Sequence, residues 1–178
     1  MGNIIRRYKS EIHGNYRLAY LRWGALSGLV LSLYLLVRHW TGAPCATPAD
    51  LGKDGLLVLS IALSMYFYRR SLPDGKVTMK ELLLMGLGTG LVAAVLYGLF
   101  VWLYCGVLYP EMTELYAQRF KTDDSQTEGY LAALNPGMWA LMFGFVNTFL
   151  TSIIVTFFGA LFFRTEKADV RARTGRDK

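Results

Sequence analysis

The polar side chains inside one apolar stretch are the first residues to consider for chemistry. Asn147, Thr148, Thr151 and Ser152 lie close together near the middle of the stretch that ends at Phe163. Such groups could coordinate a transported solute, but membrane transport sites usually also contain an ionisable side chain, and the central parts of the apolar stretches contain none. We therefore expect interhelical hydrogen bonds, worth about 1 kcal/mol per pair. A proton-coupled carrier is disfavoured, whereas a lipid-binding groove between the third and fourth helices stays open.

Histidine and cysteine could supply other chemistry. His13 and His39 lie on opposite sides of an apolar stretch, and neither they nor the cysteine spacing forms a metal site. No catalytic triad, phosphate-binding loop or carboxylate pair is present, so we expect neither an enzyme nor a cofactor. Cys45 and Cys105 face the same compartment in the topology derived below, and a disulfide between them would close a loop of 61 residues. Such a bond would contribute about 4 kcal/mol, and a mass measurement showing two free thiols would exclude it.

Four apolar stretches must position these residues. Residues 82–109 and 137–163 contain 28 and 27 uncharged residues, more than the roughly 20 that a membrane-spanning helix needs. The first stretch is shorter, but Arg22 and Arg38 at its ends can reach the lipid headgroups. The second, with 14 uncharged residues from Gly55 to Tyr68, could instead be re-entrant or interfacial.

The distribution of charge along the chain indicates whether the second apolar stretch crosses the membrane. Fifteen of the nineteen Lys and Arg residues fall in residues 1–22, 69–81 and 164–178. Four spans place all three segments on one side, which the positive-inside rule assigns to the cytoplasm, whereas three spans would place the basic tail outside. That side carries fifteen basic and six acidic residues, and the other carries four and seven. We therefore predict a multi-pass protein of a bacterial inner membrane with both termini in the cytoplasm, and we do not expect nucleic-acid binding, because the basic side faces anionic lipid.

The predicted fold class is an all-α membrane protein: a bundle of four transmembrane helices with an outer helical hairpin between helices 3 and 4. The spans are expected at 18–40, 51–69, 79–109 and 137–163, within a domain of residues 18–163. Residues 1–17 form a basic N-terminal segment and residues 164–178 a disordered basic tail. The outer loop 110–136 contains the hairpin, because Met112, Leu115, Tyr116 and Phe120 recur at helical spacing.

The start of the third helix has a specific local signal. Thr78 stands three residues before Glu81, the spacing of a capping box, and Val77 with Leu82 matches a hydrophobic staple. The pattern predicts that this helix begins near Met79.

Small residues recur at every fourth position in the predicted helices. Because lipid offers no hydrophobic drive for helix association, such stripes supply close packing. The sequence leaves open which stripes close the bundle and which could serve a partner or self-association. The stripes are Gly24, Gly28 and Ser32; Ser60 and Ser64; Gly86, Gly90, Ala94 and Gly98; and Gly144, Thr148, Ser152 and Thr156.

Several short motifs carry a resemblance to a known family: Tyr68-Arg69-Arg70, Gly75-Lys76-Val77-Thr78, Glu81-Leu82, Gly86 and Tyr109-Pro110-Glu111. From about Leu18 to Phe163 the chain resembles a family of small four-span inner-membrane proteins of Bacteroidota, a domain of unknown function. The resemblance implies no activity and no functional residue. It does imply an association with gene neighbourhoods that contain a polyprenyl-phosphate glycosyltransferase, and hence docking of a peripheral enzyme on the basic side.

The sequence therefore favours a non-catalytic accessory or anchoring protein that contacts membrane lipids and a protein partner. The alternative is a lipid-binding or lipid-translocating protein. The candidate contacts for a partner or lipid are Arg6, Arg7, Arg69, Arg70, Lys76 and Lys80.

Overall fold

A computed structural model describes residues 16–42, 51–72, 77–109 and 136–164. Helix α1 spans Tyr16–Trp40, α2 spans Leu51–Ser71, α3 spans Met79–Leu103 and α4 spans Pro136–Phe163. A π-helical turn, Tyr104–Leu108, extends α3. The predicted outer hairpin, most of the N-terminal segment and the tail beyond Arg164 lie outside the described residues, as do Arg6, Arg7, Cys45 and Lys76.

The described chain is an all-helical bundle in which all four helices are long and apolar enough to cross a membrane. Helix α2 is continuous over 21 residues. At a rise of 1.5 Å per residue it is about 31 Å long, which matches a hydrocarbon core of about 30 Å. The short second apolar stretch therefore extends into its charged flanks, from Leu51 to Ser71, and reaches the length of a span.

The first turn of α3 confirms the predicted capping box. The Thr78 hydroxyl accepts a hydrogen bond from the Glu81 amide, and the Thr78 amide donates to a carboxylate oxygen of Glu81. Val77 and Leu82 are buried in the same apolar cluster, as expected for a hydrophobic staple. The helix accordingly begins at Met79.

Helix α3 organises the bundle. It packs most extensively against α4 and α1, whereas α2 makes smaller contacts with each of the other three helices. Helices α1 and α4 are not in substantial contact with each other. The cross-section is therefore a rhombus with α1 and α4 at its distant corners. The apolar core includes Leu31, Leu57, Ile61, Leu82 and Tyr97, while large apolar side chains such as Phe158 and Phe162 are exposed on the outside, where a bilayer would cover them.

Glycines allow α3 to approach its neighbours on two sides. A β-carbon added at Gly24 of α1 would lie 2.5 Å from the Val92 Cβ, and one added at Gly28 would lie 2.8 Å from the Leu96 Cβ. On the side that faces α4, a β-carbon at Gly90 would collide with Ser152.

Glycines also allow close approach further along the interface between α3 and α4. A β-carbon at Gly86 would lie 2.6 Å from the Thr156 hydroxyl, and one at Gly98 would lie 3.2 Å from the Leu141 carbonyl oxygen. Gly144 faces Val101 and Gly98, and Ala94, Thr148 and Ser152 are buried. The small-residue stripes of α1, α3 and α4 are therefore occupied by packing within the chain.

Candidate functional site

Polar and aromatic side chains gather at the end of the bundle where α1 and α3 finish and α2 and α4 begin, which we call the polar end. His39 Nδ1 lies 2.7 Å from the hydroxyl of Tyr104, whose side chain is fully buried. The rings of His39 and Tyr109 are 4.0 Å apart between centroids, and those of Tyr104 and Tyr109 are 5.1 Å apart. The imidazole is thus held between α1 and α3 by one hydrogen bond and two aromatic contacts.

The π-helical turn brings the two tyrosines together. The Tyr109 amide donates to the Tyr104 carbonyl over 2.8 Å, the five-residue spacing of a π-turn. Residues five apart diverge around an α-helix, but a π-turn closes one circuit over that spacing, so both rings reach the same side. This turn was not predicted from the sequence. The five-residue spacing of the tyrosines was the only available signal, and it is weak by itself.

A buried cation lies at the same end. Lys53 is the third residue of α2, and its side chain is only 5% exposed. Its Nζ lies 3.4 Å from Asp54 Oδ1 and 5.9 Å from the centroid of the Tyr97 ring, which supplies a cation–π contact. The position opposes the helix dipole, which favours anions at a helix N-terminus. Burial and dipole both disfavour a positive charge here, so Lys53 is a functional candidate.

Two further residues complete the polar end. The Tyr34 hydroxyl lies against Gly52, so closely that an added β-carbon at Gly52 would collide with it. The guanidinium of Arg38 stands 5.9 Å from the centroid of the Tyr34 ring. Tyr34 and Tyr97 therefore both meet the first turn of α2. These contacts were not predicted from the sequence.

Cys105 is also buried at the polar end, next to Tyr104. Its predicted disulfide partner, Cys45, lies outside the described residues, so that bond stays a prediction. Within the four described segments, no group of three or more His, Cys, Asp or Glu side chains is arranged to hold a metal ion.

The hydroxyl groups inside the bundle behave differently from the prediction. Ser152 donates to the Phe149 carbonyl of its own helix over 2.7 Å, and Ser64 donates to Ile61 in the same way. The prediction of interhelical hydrogen bonding is therefore wrong for Ser152. A serine hydroxyl reaches a carbonyl one turn earlier without any registry between helices. The hydroxyls of Thr148 and Thr156 are buried and have no hydrogen-bond partner.

The lipid groove expected between α3 and α4 stays a prediction, and it does not lie where the glycines of α3 face α4. The two helices meet so closely that Gly90 touches Ser152 and Gly98 touches the backbone of Leu141. An acyl chain requires a gap several ångströms wide, and at Gly86 and Gly90 the contact with α4 has no room for even one added β-carbon.

The opposite end of the bundle, where α1 and α3 begin and α2 and α4 finish, is the basic end. Arg22, Arg70, Lys80 and Arg164 are exposed there, and Arg69 is half-buried. Of the acidic residues that the structure describes, only Glu81 lies at this end, and its carboxylate is engaged by Thr78. The described basic end is therefore an exposed, strongly positive surface.

The fold and the apolar exterior define the class: an α-helical, multi-pass membrane protein with four candidate spans. A family model described as "Protein of unknown function (DUF4199)" matches residues 22–165. The chain belongs to this family. No curated protein matches the chain, and neither does any solved structure.

Proposed function

We propose that this protein is a non-catalytic accessory or anchoring protein of a bacterial inner membrane, with both termini in the cytoplasm, that binds a protein partner at its basic end. The observation that supports this proposal is the exposed set Arg22, Arg70, Lys80 and Arg164, which is not balanced by acidic side chains among the described residues. Exposed charge of one sign steers a partner of the opposite sign and sets its orientation.

Packing within the chain favours a contact at the end of the bundle over one along a helix face. The small-residue stripes of α1, α3 and α4, which could have bound another transmembrane helix, are occupied by packing among these three helices. The large apolar side chains that remain on the exterior are suited to lipid.

A peripheral enzyme with an acidic surface fits the proposed contact. The polyprenyl-phosphate glycosyltransferase, like the assignment to Bacteroidota, rests on the resemblance described above and on no structural observation. The second candidate function, lipid binding, shares the same surface, since exposed Arg and Lys at headgroup depth attract anionic lipid.

Photo-crosslinking in native membranes tests the proposal. A photoreactive residue placed at Arg70 or at Lys80 is expected to capture one protein of defined mass. The same residue at Trp40, which is 77% exposed at the opposite end, serves as the control and is expected not to capture that protein. Capture of lipid alone at the basic end would favour the lipid-binding alternative. Absence of any specific product, together with a strictly monomeric purified protein, would contradict both partner binding and self-association.

Charge variants distinguish a role of the basic residues in partner binding from a role in membrane topology. Neutralising Arg69, Arg70 and Lys80 to Gln is expected to lower partner capture about tenfold, the effect of losing about 1.4 kcal/mol of electrostatic attraction. The control R69K/R70K keeps every charge and is expected to retain most of the capture. A reporter fused after Lys178 verifies that the C-terminus stays in the cytoplasm in each variant. Equal capture by the neutralised variant would mean that these charges act in topology only.

A further inference from the structure

The uncharged parts of the four spans fall into two lengths. Those of α1 and α2, residues 23–37 and 55–68, contain 15 and 14 residues, whereas those of α3 and α4, residues 82–109 and 137–163, contain 28 and 27. At the rise of an α-helix, the first two are about 22 and 21 Å long and the other two about 40 Å. A hydrocarbon core of about 30 Å lies between these values.

The structure places the two short uncharged parts next to each other. The rings of Trp23 and Phe67 stack at 5.4 Å between α1 and α2, and nearer the polar end the Tyr34 hydroxyl of α1 lies against Gly52 of α2. In the rhombus of helices, α1 and α2 therefore form one side of the bundle, which we call the thin side. Helices α3 and α4 form the opposite, thick side.

The two sides must adapt to a bilayer in different ways. A span that is longer than the hydrocarbon core can tilt, whereas a span that is shorter requires the bilayer to thin or its flanking charges to reach outward. On the thin side, the uncharged parts are about 8 Å shorter than the hydrocarbon core.

Charged side chains at the polar end do little to bridge this difference. Arg38 lies in the last turn of α1, but it is half-buried and its guanidinium stands 5.9 Å from the centroid of the Tyr34 ring, so it is held against the bundle. Asp54, in the first turn of α2, has a short side chain that is 27% exposed. Outward reach toward the headgroups requires a long and free basic side chain. The headgroups of this leaflet are therefore expected to move inward along the thin side.

Lipid has access to both helices of the thin side. Leu29 and Leu33 of α1 and Val58 and Leu59 of α2 are large apolar side chains that are exposed on the outside of the bundle. Acyl chains that pack on these residues meet an apolar band shorter than the surrounding bilayer, and a bilayer thins locally at such a band.

We propose that the thin side is a path by which phospholipids pass between the two leaflets of the membrane. A headgroup crosses a bilayer slowly because the hydrocarbon core satisfies none of its polar groups. Local thinning and the water that accompanies it lower the cost of a charge in the membrane, and they lower the cost of a headgroup in the same way. The path lies along α1 and α2 and does not depend on the partner contact proposed for the basic end.

The purified protein in liposomes provides the test. Dithionite destroys the fluorescence of a labelled phospholipid in the outer leaflet only, so continued loss reports transfer from the inner leaflet. Transfer is expected to be about tenfold faster with the protein than without it, which corresponds to a barrier lower by about 1.4 kcal/mol. Thinning acts on any headgroup, so phosphatidylcholine and phosphatidylethanolamine are expected to be transferred at similar rates. Absence of acceleration, or transfer of only one of these lipids, would overturn the proposal.

Longer apolar bands should close the path. R22L/R69L/R70L extends the uncharged part of α1 to residues 18–37 and that of α2 to residues 55–71, about 30 and 26 Å. Its rate of transfer is expected to fall close to that of protein-free liposomes. A rate equal to that of the wild type, with the C-terminus still in the cytoplasm, would contradict the role of the thin side.

A charge-matched control separates band length from loss of charge. R171L/R173L/R176L also removes three positive charges, but from the tail, and leaves all four uncharged parts unchanged. It is expected to transfer lipid at the wild-type rate, and a rate as low as that of the first variant would overturn the proposal. If the first variant does not fold, R22L alone, at an exposed position, lengthens the band of α1 and is expected to slow transfer about threefold. Partner capture at the basic end without any lipid transfer would refute this path and leave the proposed function intact.

Discussion

Replacement of Gly90 by alanine tests the closest helix contact in the bundle. The new β-carbon would collide with both the Cβ and the Oγ of Ser152 on α4. The hydroxyl can rotate away, but the Cβ is fixed to the backbone, so the two helices must separate locally. The Ser152 Cα itself would lie 3.7 Å from the new carbon.

The expected change in the free energy of unfolding of G90A is the sum of two opposing effects. Overpacking of a well-packed interior costs about 1 to 3 kcal/mol, and a clash with an atom fixed to the backbone belongs near the upper end. The better helix propensity of alanine over glycine returns about 1 kcal/mol. G90A should therefore lower the free energy of unfolding by about 2 kcal/mol.

Gly55 supplies the matched control. It also lies in a helix, but a β-carbon added there would meet nothing within 4 Å. G55A should raise the free energy of unfolding by about 1 kcal/mol, because it gains only the better helix propensity of alanine. The free energies of unfolding of G55A and G90A should therefore differ by about 3 kcal/mol, with G55A more stable and G90A less stable than the wild type.

Unfolding in mixed micelles with increasing SDS, followed by tryptophan fluorescence, measures these differences, since the chain contains four tryptophans. The double variant G90A/S152G removes the colliding atoms and should be more stable than the sum of the two single effects predicts, by about 3 kcal/mol, the full cost of the collision. If G90A is as stable as G55A, or if S152G does not compensate, the close contact between α3 and α4 is refuted.

Two other substitutions address local interactions. T78A removes the N-cap of α3 and should lower the free energy of unfolding by about 1 kcal/mol; hydrogen exchange of the Glu81 amide should become faster, and unchanged exchange would contradict the cap. Y104F removes the hydroxyl beside His39 Nδ1 and should cost about 1 to 2 kcal/mol, measured by the same SDS unfolding with Y66F, at an exposed tyrosine, as the control. A double-mutant cycle with H39F that shows no coupling would contradict the hydrogen bond.

The architecture could be predicted from the sequence because membrane-spanning helices are defined by length and charge. The second apolar stretch is short when only its uncharged residues are counted. Its helix is long enough to span a membrane because it also includes Lys53 and Asp54 at one end and Arg69 and Arg70 at the other. The start of α3 could be predicted to the residue because a capping box is a local interaction between Thr78 and Glu81.

The polar end could not be predicted because it depends on the rotation of one helix against another. Lys53 looks like an ordinary charge at the end of a span, and only the arrangement of α2 on α3 turns its side chain toward Tyr97. The contact between His39 and Tyr104 joins residues 65 positions apart and also needs the π-turn. Which small-residue stripes pack against each other likewise depends on which helices are neighbours of α3. The spacing of small residues along each helix does not give this information.

The central place of α3 has a consequence for biogenesis. Helices α1 and α2 leave the ribosome first, yet their mutual contact is small, and the glycine surface of α1 fits against α3. We therefore expect the first two helices to enter the membrane as a loosely packed hairpin, which becomes stable only after α3 has inserted and packed against α1. Helix α4, which docks on the other side of α3, completes the bundle last. Ribosomes stalled after α2 should thus expose an unfilled glycine face to the insertion machinery, and those stalled after α3 should not.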